Sequence, residues 1–73
     1  MNKQDKDLLR LSKLCEHWAS HNDSHMENFE KWRNIVQQKQ LINVEDNLKN
    51  AINMMKNCSD YLIAAKMELE KLL

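Results

Sequence analysis

Apolar side chains recur along this chain at alternating spacings of three and four, and no glycine or proline interrupts them. In the first half the row is Leu8, Leu11, Cys15, Trp18, Asn22, His25, Phe29, Trp32 and Val36. In the second it is Leu41, Val44, Leu48, Ala51, Met55, Cys58, Leu62, Ala65, Leu69 and Leu72. Such spacing turns one stripe of a helix to one side, an a/d seam of the coiled-coil type. A chain without glycine or proline is poorly equipped for tight turns and bulged strands, so long helices are expected.

The two rows are out of phase across Gln37-Gln-Lys-Gln40, which predicts a helix end there. Asn43-Val-Glu-Asp46 offers an N-cap with acidic residues behind it, and Leu41 or Ile42 can staple back onto the new helix. The expected class is all-α, an antiparallel hairpin of two long helices. It forms one domain over residues 1–73, with a helix over about 4–38, a turn over about 39–43 and a helix over about 44–73. Each helix would be roughly 45–50 Å long. A short connection favours antiparallel neighbours. Folding at residue 40 opposes Val36 to Val44, Trp32 to Leu48, Phe29 to Ala51 and His25 to Met55. Further along, Asn22 meets Cys58, Trp18 meets Leu62, Cys15 meets Ala65, Leu11 meets Leu69 and Leu8 meets Leu72. Phe29 and Cys15 thus face alanines, as interdigitating layers require.

A lone hairpin leaves half of such a seam wet, and 73 residues are too few for a sizeable private core. Phe29, Ile35, Ile52, Met54 and Tyr61, with both tryptophans, widen the apolar stripe beyond what two helices need. The expected form is a homodimer in which two hairpins build a four-helix bundle, parallel or antiparallel. Two other architectures are conceivable. The capping-box pattern Ser24-His-Met-Glu27 would break the first helix near Asn22 and give three helices, against the unbroken seam. A helical 37–43 stretch would give one long rod, against the phase shift and the cap at Asn43.

Eleven acidic residues balance eleven basic ones, so no field of one sign gathers nucleic acid or an anionic membrane. The longest strictly apolar run, Tyr61 to Ala65, is too short to span a bilayer. Met-Asn-Lys-Gln-Asp-Lys-Asp at the amino end has no apolar stretch of a signal peptide. With two cysteines only, a cytoplasmic setting is expected.

The seam turns polar only at its middle. All three histidines lie in Cys15-Glu-His17-Trp-Ala-Ser-His21-Asn-Asp-Ser-His25 at spacings of four, which advances only about 40° per step on a helix. His25 and Asn22 hold core positions, His21 flanks them, and His17 lies further out; Met55, Cys58 and Ser59 are opposite. One reading is a metal site. His21 and His25 reach one ion from a single helix, Cys58 adds a soft ligand, and His17 serves the entry or a weaker second site. Imidazole with thiolate favours Zn, Ni or Cu over Mg or Ca, for sensing, storage or delivery. The other reading is a structural or adaptor module, because an Asn at an a position commonly fixes register and oligomer state. Both stay open on the sequence.

Cys15 and Cys58 stand on the order of 10 Å apart along the bundle, beyond disulfide reach, and Cys15 is expected to pack as a small apolar residue. The tryptophans, both at d positions, are expected in the core. No Glu-x-x-His, His-Glu-x-x-His, Cys-x-x-Cys or Cys-x-x-Cys-His occurs, which disfavours di-iron, metalloprotease, dithiol and attached-haem chemistry. A glycine-rich phosphate loop and a nucleophile elbow are also missing, and a non-enzymatic role is expected.

His17-Trp-x-x-His21-Asn-x-x-His25, followed by Phe29 and Trp32, resembles a small family of prokaryotic all-helical domains whose hallmark is that His-Trp-x-x-His-Asn-x-x-His run. The likeness covers about a quarter of the chain. It implies a recurring helical domain, brings no activity with it, and gives His17 more weight than its heptad position does.

Overall fold

In the computed structural model, which describes residues 5–73, the chain is a hairpin of two helices. α1 is Lys6–Gln38 and α2 is Ile42–Leu72, and they pack side by side as a rod of 55 × 14 × 12 Å. The expected start at Gln4 lies outside the described residues. Asp5 caps α1: its carboxylate accepts the Asp7 and Leu8 amides at 3.1 and 3.2 Å. Asp7 adds an acidic group where the helix dipole favours one.

α1 runs unbroken through Asn22 and Ser24, so the three-helix arrangement does not form. The continuous rod does not form either, because the chain reverses at Lys39–Leu41. Gln40 takes a left-handed conformation at φ 61°. Its amide donates to the Gln37 carbonyl, and the Leu41 amide donates to the Val36 carbonyl, both at 3.0 Å. This pair of bonds is a Schellman closure. It is made here without glycine, at a cost of about 1 kcal/mol for a residue carrying a Cβ.

The expected cap at Asn43 is corrected. α2 begins at Ile42 after Leu41, with no side-chain cap, and Asn43 already lies in the first turn. The closure returns the backbone to helical geometry so quickly that the Leu41 carbonyl accepts the Glu45 amide at 2.9 Å.

The helices face each other along a seam rotated from the one read in the sequence. The rows Leu8, Cys15, Asn22, Phe29, Val36 and Leu48, Met55, Leu62, Leu69 are buried or half-buried, as the heptad count requires. Their second rows differ. α1 turns Ser12, Ala19, Met26 and Arg33 inward in place of Leu11, Trp18, His25 and Trp32. α2 turns Glu45, Ile52, Ser59 and Lys66 inward in place of Val44, Ala51, Cys58 and Ala65. On a helix the i+3 and i+4 neighbours of a shared row lie about 100° apart, so a single partner helix covers only one of them.

Small residues from mid-height towards the end away from the turn, Ser12, Cys15, Ala19 and Ser59, let the two backbones approach, and they are the buried positions. The only buried apolar side chains among the described residues are Cys15 and Ala19, at 3% and 5% exposure. The tryptophans expected in the core are not there: Trp18 is 41% and Trp32 55% exposed. Both cysteines are free thiols, as their separation requires. No described helix is long and apolar enough to cross a membrane.

Candidate functional site

The rotation gives the hairpin two unlike sides. One side is crossed by ion pairs: Arg33 Nε stands 3.6 Å from Glu45 Oε2, and Lys66 Nζ 3.8 Å from Glu16 Oε2. Arg33 also meets Glu30 at 3.5 Å and Lys66 meets Glu70 at 2.6 Å. The hydrogen bond that Lys66 donates to Glu70, then the Glu70 charge, holds the Lys66 ammonium above the usual lysine range, and Glu16 adds a smaller push.

The other side is open. It carries Leu11, Trp18, His25 and Trp32 from α1 beside Val44, Ala51, Cys58, Ala65 and Leu72 from α2, all of them exposed. No Asp, Glu, Lys or Arg interrupts either row. A shallow groove runs between the helices at mid-height, lined by Trp18, His21, Asn22, Cys58 and Leu62. There Asn22 Nδ2 donates to Cys58 Sγ at 3.5 Å, which realises the Asn22–Cys58 pairing of the heptad count.

Helical spacing stacks the imidazoles into a ladder on the edge of this groove. His21 and His25 meet nearly edge to face, with ring centroids 4.5 Å apart at 86°. Their Nε2 atoms approach to 2.9 Å. One Nε2–H therefore donates to the other ring's lone pair, which requires opposite tautomers. His17 stacks above His21 at 6.2 Å, and Phe29 below His25 at 6.1 Å. The sequence pattern did not single out Phe29 as the foot of this ladder, although its i+4 spacing from His25 was the available signal.

His21 and His25 thus converge, while His17 remains one step away and Cys58 sits across the groove on Asn22. Among the described residues no three of His, Cys, Asp or Glu gather around one point. The expectation of His25 as a seam residue is corrected: it is exposed, because the seam runs on the far flank of the Cys15–Asn22 row. For the same reason Cys58 is exposed and not enclosed opposite the histidines of its own chain.

Fold and side-chain arrangement together define an all-helical hairpin domain with an imidazole ladder along one uncharged side. The chain belongs to the family described as Domain of unknown function (DUF8180), whose model matches residues 11–69. That segment takes in His17, His21, His25 and Cys58 and most of both helices. No curated protein and no solved structure matches the chain.

Proposed function

We propose that this domain acts by pairing and not by catalysis: two copies dock through their open sides into a four-helix bundle, as a structural or adaptor module. The observation that carries this reading is a side that is apolar on both helices, free of formal charge, and exposed from Leu11 to Trp32 and from Val44 to Leu72. The hairpin leaves 5870 Å² accessible, whereas about 4700 Å² is usual for a compact monomer of 8.7 kDa. The excess, roughly 1200 Å², is of the order of one partner's share of a standard interface, about 800 Å².

A second copy fits this surface better than an unrelated partner of unspecified shape. Bulky Trp18 and Trp32 on α1 are matched in width by the small Ala51, Cys58 and Ala65 on α2, so the surface is complementary to itself. The uncharged rows spare a two-fold pairing the like-charge contacts it would otherwise bring. On this reading the His-Trp-x-x-His-Asn-x-x-His run is the family's signature, because it carries one of the pairing rows and lies inside the matched segment.

Sedimentation equilibrium of the full chain tests the proposal. A dimer is expected at micromolar concentration, with tryptophan emission shifted to the blue. Trp18→Glu is expected to give monomer. A wild-type monomer at several hundred micromolar, with water-like tryptophan emission, would overturn the reading.

A second reading, transition-metal binding to Zn, Ni or Cu, is favoured by the 2.9 Å approach of His21 and His25. A single hairpin supplies only these two converging ligands.

A further inference from the structure

We infer that pairing completes a transition-metal site, built from His21 and His25 of one copy and Cys58 of the partner subunit. The inference rests on the pairing proposed above and adds a ligand class to it. Two imidazoles on one helix are half of a site. An ion held at about 2.0–2.1 Å from both nitrogens needs them about 2.9 Å apart at a right-angle bite and about 3.3 Å apart at a tetrahedral one. The observed 2.9 Å lies at the lower end of that span.

The way two hairpins stack decides what faces the pair. Laying the row of Leu11, Trp18, His25 and Trp32 on its own copy sets bulk on bulk, and leaves Ala51, Cys58 and Ala65 facing small residues across a void. Laying α1 over the partner's α2 sets Trp18 between positions 58 and 65, and Trp32 between positions 44 and 51. That stacking has its two-fold axis along the bundle, and rotation about such an axis leaves every height unchanged. Within one hairpin Asn22 and Cys58 stand level, in contact at 3.5 Å. Cys58 of the partner subunit therefore stands level with Asn22, within the turn that separates His21 from His25.

The chemistry suits this placement. Cys58 is an exposed thiol on the open side, held by one hydrogen bond to a weakly accepting sulfur. Two neutral imidazoles and a thiolate make a borderline-to-soft donor set that selects Zn²⁺, Ni²⁺ or Cu⁺ and leaves a fourth position to water. On binding, the Cys58 sulfur gives up its proton to solvent, and the ring that carried its proton on Nε2 releases it to solvent and takes one up on Nδ1, so that both neutral imidazoles turn an Nε2 lone pair to the ion. Symmetry produces two such sites in each dimer.

Zn²⁺ titration with light scattering, and Co²⁺ substitution read by its thiolate-to-metal band, test the inference on the full chain. Two Zn²⁺ per dimer are expected, with the thiolate band present. His21→Ala/His25→Ala and Cys58→Ser, each alone as a homodimer, should lose Zn²⁺ and the band while keeping wild-type helicity. The discriminating experiment refolds these two variants together. Ligands contributed across the interface give the mixed dimer one intact site, whereas ligands contributed within a chain give it none. A mixed dimer that binds no Zn²⁺, or a Cys58→Ser homodimer that binds it undiminished, would overturn the inference. A metal-free dimer that ignores Zn²⁺ does the same and leaves the pairing intact. A monomer with and without Zn²⁺ overturns both.

Discussion

The two sides of this hairpin are built from the same heptads and have opposite character. On one side Arg33, Glu45, Lys66 and Glu16 reach across the seam and close it with charge. On the other, aromatic, aliphatic and imidazole groups stand exposed along both helices. A helical pair this thin cannot bury all its apolar surface, so it covers one flank with long, solvated side chains and leaves the other for something else to cover. The contrast matters because the two sides should contribute unequally: exposed ion pairs are worth little each, while apolar area removed from water is worth much more.

The sharpest way to break the comparison is to place one substitution on both sides. Trp32→Glu, on the open side, is expected to weaken dimerisation by about 100-fold or more, near 3 kcal/mol, because it buries a charge where an aromatic anchor packs. Ile63→Glu, beside Lys66 on the ion-paired side, should change the dimer constant less than about threefold. Equal losses in analytical ultracentrifugation would show that the sides do not differ as described.

A smaller effect is expected on the line between them. The Ser59 hydroxyl is buried in the seam without a hydrogen-bond partner. Ser59→Ala should therefore stabilise the fold, by about 1 kcal/mol, seen as a higher melting temperature at fixed protein concentration. A lower one would mean that the hydroxyl has a partner after all.

The smallest effects belong to the ion pairs. Arg33→Met and Lys66→Met should each lower the melting temperature only slightly in low salt, and less as salt is added. Because Lys66 is raised above its ordinary value, its contribution is complete below the unfolded lysine pKa and disappears as pH climbs through the higher folded value. Thermal melts across the alkaline range should show that loss in the wild type and not in Lys66→Met. A large, salt-independent cost would put the ion-paired side on a level with the open one.

Much of this molecule is legible from its residues. The unbroken three-four spacing from Leu8 to Val36 dictates a long first helix, and the phase shift over Gln37–Gln40 dictates where it stops. The register follows too, since Asn22 does meet Cys58. The start of α2 was less legible. Asn43 looks like a cap, but the Schellman closure at Gln40 uses backbone hydrogen bonds that leave no signature in a sequence without glycine. The imidazole ladder follows from spacing alone, whereas the side it faces does not.

That division has a simple physical origin. Periodicity is a property of one helix, so the sequence by itself determines the helices, the turn, the register and the row shared by both possible seams. Which neighbour of that row becomes the interface depends on two helices at once. Leu11, Trp18, His25 and Trp32 make the more apolar row, yet Ser12, Ala19 and Ser59 allow the closer approach, and from that flank Arg33 and Lys66 reach carboxylates of the other helix. A single partner helix can cover only one of two rows about 100° apart. Tertiary packing made the choice, and so turned the tryptophans, His25 and Cys58 from expected core into an exposed surface.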